Sequence, residues 1–134
     1  MPDSTKKQVR ELELDAVSYS KIGHHSKAES TIKKALELKP RSNHLNHELA
    51  KIHLRSKQYE KALEILLTLS NKTKNREILF KDIGLSYFGM GKLEKALEAS
   101  GISLSEKSDY VEALTLRGKS LRELERYDEA LVVL

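Results

Sequence analysis

Apolar residues recur along this chain at steps of three and four, which is the spacing of one face of an α-helix. In residues 43–76, for example, an apolar run that ends at Leu54 is followed by the polar stretch 55–58 and by a second run from Tyr59. This alternation predicts antiparallel helix pairs joined by short turns. The predicted pairs are 9–22 with 26–39, 43–56 with 59–71, 77–90 with 93–105, and 111–124 with 127–134.

The pattern repeats every 34 residues without an insertion. Two columns of the repeat hold small residues, which suit positions where helices cross closely. They are Ala28, Ala62, Ala96 and Ala130, and Ala16, Ala50, Gly84 and Gly118. Two further columns hold mostly large residues that would fill the space beside the small ones. They are Tyr19, His53, Tyr87 and Leu121, and His25, Tyr59, Leu93 and Tyr127.

The chain therefore divides into an N-terminal extension, residues 1–8, and a repeat domain, residues 9–134. The repeats cover 9–42, 43–76, 77–110 and the truncated 111–134. They resemble the tetratricopeptide repeat family, most clearly through Phe80, Ile83, Gly84, Tyr87 and Ala96 of the third repeat. The resemblance implies an all-α fold, a right-handed superhelical solenoid of antiparallel helix pairs. Its concave groove, lined by the first helix of each pair, is expected to bind a protein or peptide.

The resemblance also implies that five positions of each repeat face the groove, namely the second, fifth, ninth, twelfth and thirteenth. In the first repeat these positions include Ser20. The candidate partner-binding residues chosen from the later repeats are His47, Lys51, Leu54, Arg55, Ile78, Lys81, Leu85, Phe88, Lys119 and Arg122. Basic and apolar side chains together suit a peptide that carries acidic and apolar residues. We therefore expect a non-catalytic protein–protein interaction module with a scaffold or recruitment role.

One specialised mode of binding is not supported. Family members that act as chaperone cofactors hold a C-terminal carboxylate with Lys, Asn and Arg side chains at five groove positions. Here those positions carry Glu13, Val17, Glu48, Ile78 and Asp82, or, one repeat later, His47, Lys51, Asp82, Glu112 and Leu116. Neither set supplies the donors that a carboxylate needs. The sequence thus argues against recognition of an Hsp70 or Hsp90 tail.

Composition narrows the remaining classes of function. The 134 residues carry a net charge of +4 and no Cys, so disulfides, cysteine nucleophiles and cysteine-based zinc sites are excluded. The charge is small, and Phe88 is the one aromatic residue at the selected groove positions, which argues against nucleic-acid binding. The sequence contains no nucleophile elbow, phosphate loop or zinc-protease motif. We expect no enzymatic activity and no cofactor.

The histidines give little sign of a metal site. His44 and His47 lie three residues apart on one predicted helix and could begin such a site, but no third ligand stands at an obvious spacing. We therefore expect no metal. His53 falls in a large-residue column and is expected to be a packing residue. The chain shows no signal peptide and no membrane-length apolar run, so a cytoplasmic location without membrane attachment is the default expectation.

Two alternatives remain open. The truncated fourth repeat ends in an apolar stretch, which indicates a fragment of a longer chain, such as the substrate-recognition or spacer arm of a multidomain enzyme. The same end could support end-to-end self-association through Leu131, Val133 and Leu134.

The third repeat also holds an unusual stretch. Ser100, Gly101 and Ser103 predict a weak, underpacked helix, because glycine costs about 1 kcal/mol in a helix interior. This helix is either a tolerated soft spot, or a hinge or cleft that admits a partner side chain. Filling it, by Ser100→Leu together with Gly101→Ala, is expected to raise stability.

Overall fold

A computed structural model describes residues 2–125 of the 134-residue chain. These residues form the helices α1 (Pro2–Lys21), α2 (His25–Leu38), α3 (Asn43–Arg55), α4 (Tyr59–Thr68), α5 (Arg76–Gly89), α6 (Leu93–Glu106) and α7 (Val111–Glu123). None of these helices combines the length and the apolar character of a membrane-crossing segment. The chain divides into two compact units, one through Ile65 and the other from Leu66. The predicted helix 127–134, with Tyr127, Ala130 and the apolar end, lies outside the described residues.

Five of these helices have bounds within one residue of the prediction, and α1 differs the most. The repeat pattern places the start of α1 at Val9, whereas the helix begins at Pro2. Proline fits the first position of a helix because its missing N–H is not needed there. The Lys-Lys-Gln run that follows has good helix propensity. Residues 2–8, expected to be an extension, are thus continuous with the first helix of the repeat.

The second difference is the end of α4, which lies at Thr68 instead of residue 71. Beyond Thr68, backbone hydrogen bonds join residues that are three apart. Leu69 N–H donates to the Leu66 carbonyl at 3.1 Å, and Lys72 N–H donates to the Leu69 carbonyl at 2.9 Å. Such 3₁₀-type turns are common where a helix ends, and the Ser-Asn pair after Leu69 favours a turn over a helix.

The first unit contains a core shared by α1, α2 and α3, which pack against one another. Its buried aliphatic side chains are Val9, Ala16, Ala28, Ile32, Ala35, Leu45, Leu49 and Ile52. The two alanines from the small-residue columns, Ala16 and Ala28, are completely buried. This confirms that these columns lie where helices meet.

The second unit has an equivalent core between α5, α6 and α7. Its buried residues from these helices include Leu79, Ile83, Ala96, Ala99, Ala113, Leu116 and Leu121. Gly84 lies where this packing is closest. A Cβ atom at Gly84 would be 2.6 Å from Leu116 Cδ2 and 3.4 Å from Ala99 Cβ. The absence of a side chain at Gly84 is therefore what lets α7 approach α5.

In the first three repeats, the turn between the two helices is closed by hydrogen bonds of the backbone itself. Four residues spaced by 34 have positive φ, namely Gly23 (87°), Lys57 (63°), Gly91 (77°) and Glu125 (61°). After the first three, the next N–H donates to a carbonyl five residues back: His24 to Tyr19 at 2.9 Å, Gln58 to His53 at 2.8 Å and Lys92 to Tyr87 at 2.9 Å. This is the Schellman arrangement of a helix end. It recurs at Lys57 although that residue is not glycine.

His53 is buried, as expected of a packing residue, and it also makes polar contacts. It is 4% exposed, and its Nδ1–H donates to Gln58 Oε1 at 2.9 Å. Glu29 Oε1 lies 3.6 Å from the same nitrogen. Burial lowers the pKa of His53, and this effect exceeds the opposing influence of the Glu29 carboxylate. The imidazole therefore packs in its neutral form.

The helix that was expected to be underpacked, α6, is continuous through Gly101. Ser100 and Ser103 are completely buried, and Ser103 Oγ donates to the Glu77 carbonyl on α5 at 2.7 Å. A leucine at position 100 would have to displace its neighbours, so the burial of Ser100 argues against the Ser100→Leu part of the expected gain. Gly101 differs, because a Cβ there would meet no atom within 4 Å.

We predict that Gly101→Ala raises the free energy of unfolding by about 0.5–1 kcal/mol. The new methyl group enters open space, so the gain in helix propensity is not offset by a clash. Urea denaturation followed by circular dichroism measures the change.

Gly84→Ala is the matched control, because it brings the same gain in helix propensity at a crowded position. The methyl group would force Leu116 to move, so we expect this variant to be at least about 1 kcal/mol less stable than Gly101→Ala. Equal stabilisation by the two substitutions would contradict the close approach of α7 to α5.

We also predict that acid weakens the first unit through His53. As the pH falls from 7.5 to 5.5, the unfolded chain takes up a proton at position 53 near the ordinary pKa of about 6.5, and the folded chain resists it. The stability that the neutral His53 contributes is therefore fully present above the ordinary pKa of about 6.5 and is lost as the pH falls below it. Glu29 has a lowered pKa and stays ionised over this interval.

The control is His53→Leu, which introduces the residue found at the buried Leu121 of the same column. Between the two pH values, its free energy of unfolding in urea denaturation should fall by less than that of the wild type. An identical loss would contradict the prediction.

Candidate functional site

The second unit contains an open cavity between α5 and α7, with a volume of about 290 Å³. Its lining consists of Lys81, Leu85 and Phe88 from α5, and Val111, Glu112, Thr115, Leu116 and Lys119 from α7. The α5 residues follow one another at steps of four and three, and the α7 residues form two rows with steps of three or four, so each set occupies one helix face. The cavity is thus formed by two facing helical stripes.

The interior of the cavity is mostly apolar. Leu116 is buried at 2% exposure, while Leu85 and Phe88 are half-buried. Val111 is 64% exposed although its side chain is fully hydrocarbon. An apolar side chain placed here would remove hydrocarbon surface from water, which is worth roughly 25 cal/mol per Å².

Charged groups surround this apolar surface. Lys81 Nζ lies 2.7 Å from Asp82 Oδ1, and Asp82 is 1% exposed, so Lys81 balances a buried carboxylate. Lys119 is an exposed cation on α7. Glu112 accepts a hydrogen bond from Tyr110, and burial together with this carboxylate raises the pKa of Tyr110 to about 12. The tyrosine therefore keeps its proton.

The structure brings four of the predicted site residues together at this cavity: Lys81, Leu85, Phe88 and Lys119. Ile78 and Arg122, predicted in the same unit, are not part of its lining. Val111 and Leu116 line the cavity although the repeat positions did not select them. Val111 is the first residue of its repeat. The one sequence signal for its place in the cavity lining is an apolar residue at a predicted helix start.

The remaining predicted site residues lie on α3 of the first unit: His47, Lys51, Leu54 and Arg55. Two of them are held by contacts inside this unit. Lys51 Nζ is 3.3 Å from Glu48 Oε1, and Arg55 Nη1 donates to Ser20 Oγ at 3.1 Å. Ser20 itself is 2% exposed, so its expected position in an open groove is wrong. It is buried and accepts the hydrogen bond from Arg55.

A second cavity of the same unit provides a useful comparison. It has a volume of about 250 Å³ and opens beside α5 and α6. Its lining is Leu67, Phe80, Ile83, Tyr87, Lys95, Glu98, Ala99 and Ile102. Lys95 Nζ lies 5.5 Å from the centroid of the Tyr87 ring, so its charge is directed at an aromatic face. No predicted site residue contributes to this lining.

The comparison with known families agrees with these helix pairs. Two family models, both described as tetratricopeptide repeat, match the sequence over residues 23–81 and 81–133. This chain belongs to the tetratricopeptide repeat family. No curated protein matches the sequence.

Solved structures with the same fold include other tetratricopeptide repeat proteins. MamA from Desulfovibrio magneticus RS-1 superposes with a TM-score of 0.83 at 20% identity, covering 93% of this chain and 71% of that chain. The first tetratricopeptide repeat domain of Spaghetti (RPAP3), bound to the HSP90 peptide SRMEEVD, gives a TM-score of 0.77 at 19% identity, covering 89% and 94%. At these identities the similarity establishes the fold, an all-α solenoid of antiparallel helix pairs.

Membership also gives the general class of function. Tetratricopeptide repeats are protein–protein interaction modules and are typically non-catalytic. The helix pairs of this chain provide what such a module needs, which is a rigid set of side chains presented from two neighbouring helices.

We predict that the two lysines of the α5–α7 cavity differ in their effect on stability. Lys81→Met removes the cation that balances the buried Asp82 and should lower the free energy of unfolding by about 1–3 kcal/mol. Lys119→Met changes an exposed side chain and should stay within about 0.5 kcal/mol of wild type. Urea denaturation compares the two. Equal effects would mean that the Lys81–Asp82 pair does not support the fold.

Proposed function

We propose that this chain recruits another protein by binding one of its segments in the α5–α7 cavity. The segment carries a large apolar residue, which enters the cavity, and at least one acidic residue beside it. The observation that supports this proposal is the grouping of Leu85, Phe88 and the exposed Val111 around one opening with Lys119 at its edge.

The apolar part of the cavity supplies the affinity. Phe88 and Leu85 project from α5 one turn apart, and Leu116 closes the interior from α7. Aromatic residues beside a well-packed interior are the side chains that most often dominate binding energies. Val111 keeps most of its surface in water in the absence of a partner, so covering it adds to the hydrophobic gain.

The charges select the partner. Lys81 already balances Asp82, so Lys119 is the lysine of the lining best able to attract a carboxylate. An Asp or Glu two or three residues from the apolar anchor would lie within reach of Lys119 in an extended segment.

A similar fold supports this class of ligand. The Spaghetti (RPAP3) domain was solved with the peptide SRMEEVD, in which acidic residues alternate with the apolar Met and Val. The present chain lacks the Lys, Asn and Arg donors at the positions that family resemblance assigns to a carboxylate clamp. We therefore propose recognition of an internal acidic and apolar segment, and not of a chain end.

A peptide display library tests the proposal, with selection on the wild-type chain and affinities measured by fluorescence anisotropy. We expect enriched peptides to pair a large apolar residue with Asp or Glu. Phe88→Ala should weaken their binding at least about tenfold. Lys119→Glu should weaken it about fivefold or more and reduce its dependence on salt.

Two matched variants serve as controls. Phe80→Ala removes the other phenylalanine of the chain, which lines the second cavity, and Lys92→Glu reverses an exposed lysine in the turn before α6. Both should bind the selected peptides like wild type once circular dichroism shows that they fold. If Phe80→Ala abolishes binding and Phe88→Ala does not, the binding site lies at the second cavity and the proposal fails.

A further inference from the structure

A cluster of metal-ligating side chains lies in the first unit, on helices α1 and α3. His44 and Glu48 are four residues apart on α3 and therefore share one helix face. Glu13 projects towards them from α1. Its Oε2 lies 2.6 Å from His44 Nε2, and one ligand atom from each of the three residues lies within 4.8 Å of the others.

The sequence pattern pointed to a different pair. His44 and His47 lie three residues apart on one helix, and no third ligand was evident at an obvious spacing. The third ligand is Glu13, which precedes His44 by 31 residues. Only the packing of α1 against α3 brings it there.

We propose that Glu13, His44 and Glu48 form a binding site for a divalent transition-metal ion such as Zn²⁺. One imidazole nitrogen and two carboxylate oxygens are ligands that zinc accepts, at distances of about 2.0–2.2 Å. Around such an ion, ligand atoms stand roughly 3–3.5 Å apart. The 2.6 Å between Glu13 and His44 and the 4.8 Å limit for the whole cluster lie on either side of that spacing. Three protein ligands leave at least one position for water.

The surroundings determine how strong and how accessible this site is. The side chain of His44 is 65% exposed, which gives an ion a path from solvent, whereas that of Glu48 is 11% exposed. Lys51 Nζ is 3.3 Å from Glu48 Oε1 and engages one of its two oxygens. Lys6, Arg10 and Lys39 line the cavity beside Glu13 and His44. These cations repel an incoming metal ion, so they lower the affinity of the site for zinc.

Isothermal titration of the purified, tag-free and EDTA-treated chain with zinc chloride at pH 7.5 tests the proposal. We expect about one zinc ion per chain. Glu13→Gln, His44→Asn and Glu48→Gln should each weaken binding at least about tenfold, since each removes a ligand and leaves two. Zinc should also raise the Tm of the wild-type chain and not that of these variants, because a ligand that binds only the folded state stabilises it.

His47→Asn and His24→Asn are the controls. His47 is the alternative partner of His44, and His24 lies outside the cluster at the start of α2, so both variants should bind zinc like wild type. The proposal is overturned if the wild-type chain binds no zinc, or if the three cluster variants bind it as wild type does. It is also overturned if His47→Asn loses binding while Glu13→Gln keeps it, since the two histidines of α3 would then hold the ion. None of these outcomes depends on peptide binding.

Discussion

The close approach of helices at the small-residue columns is the constraint on which each unit depends. At Gly84 the backbone of α5 lies so near Leu116 of α7 that no Cβ atom fits without displacement. This contact fixes the separation of the two helices whose facing stripes form the candidate binding cavity. Leu116 belongs to both, since it packs against Gly84 and closes the interior of the cavity. The contact between Gly84 and Leu116 therefore contributes both to the packing of the second unit and to the shape of its cavity.

Most of the fold follows from local rules that a single sequence displays. A three-to-four periodicity marks helix faces, and a 34-residue spacing aligns them, so most helix bounds could be predicted closely. The misjudged ends have local causes that the repeat pattern does not contain. Pro2 starts α1 early because of its own backbone geometry, and tight backbone bonds end α4 at Thr68. Ser100 was misjudged because its burial depends on neighbouring helices.

The candidate sites were less predictable, because residues that are distant in sequence determine which contacts their side chains make. Lys81 and Lys119 both looked like groove cations, yet Lys81 lies against the buried Asp82. Arg55 looked available and instead donates to Ser20, 35 residues earlier. Glu13 reaches His44 across 31 residues. Position within a repeat indicates which face a residue occupies, but it does not indicate whether a partner already holds the side chain there.

The four positive-φ turn residues have a consequence for how such repeats are recognised. Gly23, Lys57, Gly91 and Glu125 share a positive φ, although two of them are glycine and the other two carry opposite charges. Lys57 holds a conformation that ordinarily favours glycine, and the helix-closing hydrogen bond from Gln58 N–H to the His53 carbonyl accompanies it. Residue identity alone therefore does not define this column, because Lys57 and Glu125 share its positive φ without being glycine. Two repeats can diverge there completely and still reverse the chain in the same way.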